Sequence, residues 1–168
     1  MIKNIDQTEK FKKVMGNYPT GVTVVTTKDR NGTPVGLTVN SFASVSLAPL
    51  LISWCIDKSA SSFDVFNTTN QFAVHILASE QEDLCHLFAC KGADRFNQCE
   101  WTTSELQLPI IKDVFAVLQC NVFQRVEAGD HQLLIGKVEH IDKAEKEPLL
   151  YHRRKVGSIP SDFYSNNI

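Results

Sequence analysis

Short runs rich in β-branched and aromatic residues follow one another along this chain, and tight-turn residues separate most of them. Residues 20–28 (TGVTVVTTK) and the run after them flank an Asn31-Gly32 pair, which is a strong signal for a hairpin turn. A doubly wound parallel sheet would instead alternate its strands regularly with long helices. The pattern therefore predicts a mainly β protein, an antiparallel barrel with short peripheral helices.

The remaining elements are predicted from the same kinds of signal. Further strands are expected at residues 36–46, 49–56 and 71–77, and a hairpin is expected from residues 114–130 and 131–142 around an Ala-Gly-Asp turn. A leading helix is expected at residues 8–16, a short serine-capped helix within 59–70, and a helix within 79–90 that opens with a Ser79 and Glu82 capping box.

The composition sets limits on the class of protein. A chain of 168 residues that is 43% hydrophobic predicts a single domain over residues 1–168, with a core at about 8–157 and a tail at 158–168. Its 17 Lys and Arg against 19 Asp and Glu give a formal charge of −2 without a basic run, which argues against nucleic acid as a partner. Any anion must therefore be held by a local site.

The compartment is predicted from the chain's start and its cysteines. The opening MIKNIDQTEK is polar, so we expect no secretion signal, and prolines and hydroxyls interrupt the longest uncharged stretch, so we expect no membrane span. Five cysteines without a C-x-x-C pair fit neither a disulfide framework nor a familiar zinc site, and the histidines show no ligand spacing. We expect a cytoplasmic protein with reduced cysteines and no metal.

The segment from Asn31 to Ile56 carries no charge, and small hydroxyl residues recur in it. Its TVNSF run could contact an uncharged planar ring such as a flavin, or it could be an ordinary sheet face. Lys58 then stands among serines at a predicted strand-to-helix junction, where hydroxyls, free backbone amides and an ammonium can hold a phosphate. The alternative is a capped helix beside a solvated lysine.

The predicted hairpin turn carries a histidine. In Gly129-Asp130-His131 the imidazole could meet a second substrate, or it could be a surface residue of an ordinary Gly-Asp turn. Neither G-x-G-x-x-G nor G-x-x-x-x-G-K-[ST] occurs in the chain, so a nucleotide would have to be held without the common glycine-rich loops.

Five segments in a fixed order resemble the flavin reductase family. They are PTGVTVVTT (19–27), GLTVNSFASVSLAPLLISWCIDKSASS (36–62), FACKGADRFNQCEW (88–101), GDHQLLIGKVEHI (129–141) and PLLYHRR (148–154). Members of this family are small NAD(P)H:flavin oxidoreductases that serve two-component flavin monooxygenases, and they have the FMN-binding split barrel fold. The similarity extends from about residue 8 to residue 157.

The resemblance implies roles for ten residues. Thr38, Val39, Asn40 and Ser41 correspond to the strand that contacts the flavin ring and ribityl chain, and Asp57, Lys58, Ser59 and Ser62 correspond to the flavin phosphate site. His131 corresponds to a histidine near the nicotinamide, and Tyr151 to an aromatic residue near the same pocket. The implied enzyme is a homodimer that binds FMN or FAD, takes a hydride from NADH or NADPH, and passes reduced flavin to a monooxygenase.

One motif departs from the family pattern. Many relatives read approximately Tyr-x-Arg-Gly-x-Tyr, whereas here Tyr151 and Arg153 are followed by Arg154, Lys155 and Val156. The nicotinamide side of the site is therefore less well matched than the flavin side. Two alternatives stay open: a flavin-binding electron carrier that retains FMN and uses NAD(P)H poorly, and a split barrel that binds another phosphorylated ring or a haem.

Overall fold

A computed structural model of the chain describes residues 2–164, with side chains from residue 6 onward. This range contains α1 (Ile2–Gly16), α2 (Phe63–Thr68), α3 (Glu82–Ala89) and a short 3-10 turn at Ser161–Phe163. Its strands are β1 (Thr20–Gly21), β2 (Thr23–Lys28), β3 (Pro34–Val39), β4 (Ala43–Leu47), β5 (Leu50–Asp57), β6 (Gln71–Ile76), β7 (Trp101–Thr103), β8 (Pro109–Ile111), β9 (Ala116–Ala128), β10 (His131–Lys143), β11 (Leu150–His152) and β12 (Lys155–Gly157). Of the tail expected at 158–168, residues 165–168 lie outside the described part.

The main sheet has seven strands in the order β3-β2-β6-β9-β10-β5-β4, and its neighbours pair antiparallel. Its two edge strands, β3 and β4, are consecutive in the chain and are joined by residues 40–42 alone. The sheet therefore curls until its edges meet, and β3 approaches β5. The mainly β, antiparallel barrel with peripheral helices predicted from the sequence is confirmed.

The single strand predicted at residues 36–46 is wrong, because this segment forms two strands on opposite edges of the sheet. β3 pairs with β2 and ends at Val39, whereas β4 pairs with β5 and begins at Ala43. The chain must cross from one edge to the other between them. The predicted hairpins are confirmed at the β2–β3 turn, where Gly32 has a φ of 82°, and between β9 and β10.

Two predicted helix caps are wrong, although both helices exist. Ser62 occupies the position before α2, but its side chain makes no capping hydrogen bond. The turn ahead of α2 is instead formed by Asp57, whose side-chain Oδ1 accepts from the Ser59 amide at 2.7 Å. Gln81, not Ser79, precedes α3, and its Oε1 accepts from the Ala78 amide at 3.0 Å.

The barrel interior is centred on Trp54. Its ring packs edge-on against Phe66 and Phe72, with centroid distances of 5.1 and 5.7 Å. Gly136 on β10 leaves room for this cluster, since a Cβ at that position would lie 2.5 Å from Cζ of Phe72. A register shift between Ile135 and Gly136 bends β10 at the same point, as expected of a β-bulge in a closing sheet.

A second apolar layer lies outside the barrel, where α3 and the β7–β8 hairpin cover β2 and β6. His75 of β6 is buried completely between these parts. Its Nδ1 lies 3.0 Å from the Val24 carbonyl oxygen, and its Nε2 lies 3.1 Å from the backbone nitrogen of Ile111, which donates to it. The ring is therefore neutral with its proton on Nδ1, and burial lowers the pKa of His75 to about 4.

This buried imidazole makes stability depend on pH. The unfolded chain binds a proton at an ordinary histidine pKa of about 6.5, whereas the folded chain does so only at about 4. The contribution of His75 to the free energy of unfolding is complete above pH ~6.5 and falls by about 3 kcal/mol as the pH drops to ~4. We expect His75→Gln to flatten the decline in free energy of unfolding between pH 7 and 4.5, measured by urea denaturation.

The exposed His152 provides the matched control. His152→Gln should leave the pH dependence of the wild-type protein unchanged, because the exposed His152 lacks the burial on which the effect of His75 depends. An equally steep decline in His75→Gln and in the wild type would assign the acid sensitivity to other groups.

Candidate functional site

Two clefts meet where the chain leaves β3. The first, called the β5 cleft, has a volume of about 260 Å³ and is lined by residues 37–41, 55–57, Ala60 and His131. The second, called the α3 cleft, has a volume of about 300 Å³ and is lined by Val22, Thr38, Val39, Asn40, Cys85, His86, Ala89, Tyr151, Arg154 and Val156. Residues 38–40 are thus a wall that both clefts share.

Side-chain hydrogen bonds fix this shared wall. Thr38 donates from Oγ1 to the Cys85 carbonyl oxygen at 2.8 Å, which ties β3 to α3. Ser41 Oγ accepts from the Cys55 amide at 2.9 Å and lies 3.3 Å from the Cys55 carbonyl oxygen, which ties the β3–β4 connection to β5. The hydroxyls of Thr38 and Ser41 therefore shape the wall and leave the exposed Asn40 at the junction of the clefts.

The wall of the β5 cleft carries no formal charge from residue 37 to residue 41. Burial raises the pKa of the Cys55 thiol, so this side chain is also neutral near pH 7. Charge begins only at Asp57, whose pKa is lowered by the hydrogen bonds from the Ser59 backbone and side chain. A neutral surface with charge at one end suits an uncharged planar ring that carries a polar chain.

Lys58 links this turn to the β9–β10 hairpin. Its Nζ lies 3.0 Å from the Gly129 carbonyl oxygen and 3.6 Å from Oε2 of Glu127, and its amide donates to the Asp130 carbonyl oxygen at 3.0 Å. The Ser59 amide is used by Asp57. A phosphate bound at this turn would have to draw the Lys58 ammonium away from Gly129 and Glu127.

His131 begins β10 and faces the same turn. It pairs in register with Asp57, and its Nδ1 lies 2.7 Å from Oδ1 of Asp130. About 42% of its side chain is exposed, so a ligand in the β5 cleft can reach it. The contact with Asp130 engages Nδ1, which leaves Nε2 as the ring nitrogen available to a substrate.

Tyr151 belongs to the second cleft. It pairs with Thr20 in the small sheet β1-β11-β12 and lines the α3 cleft. The tight turn that follows contains Arg153 and Arg154 with φ values of 53° and 63°, and the Arg153 amide donates to the Gly16 carbonyl oxygen at 3.0 Å.

The ten residues singled out in the sequence thus fall into three places. Thr38, Val39, Asn40, Ser41, Asp57 and His131 line the β5 cleft, and Tyr151 lines the α3 cleft together with the shared wall. Lys58, Ser59 and Ser62 lie in the adjoining turn and line neither cleft, and Ser62 is buried.

Sequence reasoning missed the α3 residues of the second cleft, namely Cys85, His86 and Ala89. No local signal marks them, because the bond that brings α3 to the site joins residues 38 and 85. Arg154 was visible in the sequence only as a departure from a motif. Its place in the cleft follows from the turn between β11 and β12.

The described residues give no sign of a metal centre or a transmembrane helix. Between residues 2 and 164, no three His, Cys, Asp or Glu side chains are grouped so that they could hold a metal ion. None of the helices in this range is both long enough and apolar enough to cross a bilayer.

Comparison with known proteins gives a family match, described as a flavin reductase like domain, over residues 15–160. The reductase component of a flavin-dependent trigonelline monooxygenase from Acinetobacter baylyi is 45% identical over 89% of this chain and 48% of its own length. A flavin reductase from Pseudomonas putida is 37% identical over 89% of this chain and 88% of its own length. The chain therefore spans about half the length of the first relative and most of the second.

The solved structures include a similar fold with ligands. The NADH:FAD oxidoreductase SgcE6 of Streptomyces globisporus, in complex with NAD and FAD fragments, superposes with a TM-score of 0.87 at 32% identity. The match covers 94% of this chain and 95% of that one.

Proposed function

The chain belongs to the flavin reductase like domain family, and from this membership we propose that it is an NAD(P)H:flavin oxidoreductase. The observation that carries the proposal is the wall at residues 38–40, which is shared by two clefts. Two ring-bearing substrates on one wall can be held close together, which is the main requirement for direct hydride transfer.

The residues of the β5 cleft fit a flavin. Its neutral wall suits the uncharged ring, and because β3 is an edge strand, its backbone groups that face away from β2 can meet the ring edge. We assign Thr38, Val39, Asn40 and Ser41 to the ring and ribityl chain. FMN and FAD share this part, so both stay candidates, and bound flavin would supply the acceptor for a hydride from nicotinamide C4.

The flavin phosphate is assigned to the turn formed by Asp57, Lys58, Ser59 and Ser62. The hydroxyls and the ammonium of this turn are the groups that support the assignment. Of the nearby carboxylates, Glu127 lies 3.6 Å from the Lys58 ammonium, whereas that of Asp57 accepts from the Ser59 amide and that of Asp130 contacts His131. Lys58 would therefore exchange its contact with Glu127 for one with phosphate.

His131 and Tyr151 are assigned to the nicotinamide side of the reaction. With Nδ1 held by Asp130, the imidazole of His131 can orient the second ring or stabilise its charge through Nε2. Hydride transfer itself needs no general base, so the chain's task is to hold the rings at reacting distance and exclude water.

Several further properties belong to the same proposal. The relatives named as reductase components of monooxygenases support a partner monooxygenase that receives reduced flavin. The family match over residues 15–160 supports a single flavin reductase domain over 1–168. Five free cysteines in the described chain support a reducing, cytoplasmic setting.

A homodimer is proposed on the basis of exposed apolar residues at the β4–β5 hairpin. Val45, Leu47 and Leu50 are 50%, 87% and 44% exposed on this hairpin, and β4 is an edge strand of the main sheet. An exposed apolar edge of this kind is normally covered by another protein surface, and a second copy of the chain is the occupant we propose.

The proposed activity is tested by anaerobic mixing of the purified protein with NADH or NADPH and with FMN or FAD. We expect at least one nucleotide to reduce at least one flavin much faster than in a protein-free control. A protein that binds flavin tightly but is reduced only by a protein partner would be an electron carrier instead. A colourless protein indifferent to flavin would contradict both functions.

The phosphate assignment predicts a selective effect of Lys58→Met. The affinity for FMN should fall about tenfold, because a charge-assisted contact is worth roughly 1.5–3 kcal/mol and the ammonium must first leave its present partners. Riboflavin, which lacks the phosphate, should bind almost as before, and Ser62→Ala should act in the same direction more mildly. Fluorescence titration of both ligands measures this.

Lys112→Met is the matched control, since the Lys112 ammonium also lies near an exposed glutamate, 3.5 Å from Glu100. Lys112→Met should change neither the affinity for FMN nor the affinity for riboflavin. Equal weakening of FMN and riboflavin by Lys58→Met would show that Lys58 acts through the Gly129 hairpin and not through the phosphate.

The nicotinamide assignment predicts that His131→Ala slows flavin reduction by NADH but not by dithionite. Flavin affinity and reduction by dithionite should be nearly unchanged, whereas the rate of flavin reduction by NADH should fall, because a misplacement of ~1 Å can cost roughly a hundredfold. Stopped-flow absorbance traces measure both rates. His152→Ala serves as the exposed-histidine control, and unchanged NADH kinetics in His131→Ala would make His131 a surface turn residue.

A further inference from the structure

Arg154 has a backbone conformation that is unfavourable for a residue with a long side chain. His152 pairs with Lys155, so the β11–β12 hairpin is closed by the two residues between them. Both have positive φ, 53° at Arg153 and 63° at Arg154. Glycine, asparagine and aspartate are the usual residues in such a turn, because a positive φ is costly for other side chains. An arginine kept in this conformation points to a function for its side chain.

The side chain of Arg154 lies where two cavities adjoin. It lines the α3 cleft, together with Tyr151 and the shared wall, and it also lines a groove of about 560 Å³ beside α1. The groove is rich in basic residues: Lys10, Lys12, Lys13, Arg153 and Arg154. A ligand that begins in the α3 cleft and continues into the groove must pass Arg154.

The charge of this groove is only partly neutralised. Asp6 lies 2.6 Å from Lys10, and Glu9 lies 3.0 Å from Lys12. Within residues 6–164, no carboxylate lies within ion-pair distance of Lys13, Arg153 or Arg154. Because the whole chain has a formal charge of −2, this local excess of positive charge favours an anionic group at the junction.

We propose that Arg154 binds a phosphate group of the pyridine nucleotide, a specificity contact that rests on the proposed reductase function. The planar guanidinium presents paired donors that match phosphate oxygens, which lysine does not. With the nicotinamide at the junction of the two clefts, between His131 and Tyr151, the rest of the dinucleotide extends through the α3 cleft into the groove and carries its phosphates past this residue. The phosphate is either the pyrophosphate, present in NADH and NADPH, or the 2′-phosphate of NADPH alone.

The positive φ of Arg154 makes its replacement by glycine an informative variant. Arg154→Gly removes the guanidinium and at the same time suits the positive φ, so its melting temperature should equal or exceed that of the wild type. A loss of nucleotide binding in this variant is then not a consequence of misfolding. Arg30→Gly is the matched control, because Arg30 is an exposed arginine in the β2–β3 turn and lines neither the α3 cleft nor the groove.

The experiment measures equilibrium binding of NAD⁺ and NADP⁺ by calorimetry, and the KM for NADH and NADPH in anaerobic flavin reduction. Arg154→Gly should raise the dissociation constant and the KM at least tenfold, with the affinity for FMN unchanged, whereas Arg30→Gly should change the nucleotide dissociation constant and the KM less than threefold. An effect on both nucleotides identifies the pyrophosphate, and an effect on NADP⁺ and NADPH alone identifies the 2′-phosphate.

The outcomes separate this proposal from the proposed function. If the wild type binds an oxidised nucleotide but oxidises neither NADH nor NADPH, the reductase function is contradicted. The role of Arg154 is then decided by the binding measurements alone. Equal affinities in the wild type and Arg154→Gly, or no nucleotide binding by the wild type at all, would overturn the proposal.

Discussion

The closing of the seven-stranded sheet is the constraint on which the rest of the structure depends. Its edge strands β3 and β4 are consecutive in the chain, so residues 40–42 have to cross between the two edges. The pairing of β4 with β5 stops at Ala43 and Ser53, and beyond it the Ser41 hydroxyl bonds to both backbone groups of Cys55. The same crossing exposes residues 38–41 at the junction of two clefts, so the candidate site is a consequence of how the barrel closes.

Lys58 connects the turn after β5 to the β9–β10 hairpin. Its ammonium and amide contact the carbonyl oxygens of Gly129 and Asp130, and the next residue of that hairpin is His131. Asp57 and His131 also face each other in the pairing of β5 with β10. The turn proposed to hold a phosphate and the hairpin proposed to meet the nicotinamide are therefore one hydrogen-bonded unit. A ligand that recruits Lys58 removes a bond from the hairpin that carries His131.

The sequence was sufficient for the elements whose signals are local. The β2–β3 turn at Gly32 and the long β9–β10 hairpin were both predicted, because turn residues and β-branched runs encode them directly. The break after Val39 was missed, since a crossing between sheet edges depends on the order of seven strands and not on the residues at the break. The predicted serine caps are wrong because the polar side chains that bond near these helix starts are Asp57 and Gln81, which accept from the amides of Ser59 and Ala78 ahead of the helices. Thr38 was singled out for a ligand, yet its hydroxyl bonds to Cys85, a partner 47 positions away that no local pattern reveals.

The two clefts differ in how firmly the fold determines them. The β5 cleft is built from barrel strands and the turns that close them, so a change there disturbs the packing around Trp54 or the closure at Ser41. The α3 cleft takes six of its ten lining residues from α3 and the β11–β12 hairpin, including Tyr151 and Arg154. The small sheet β1-β11-β12 is separate from the main sheet, and backbone hydrogen bonds such as the one from the Leu149 amide to the Leu77 carbonyl oxygen connect it to the rest. The departure from the family motif at residues 154–156 therefore lies outside the main sheet, on the side of the site proposed for the nicotinamide.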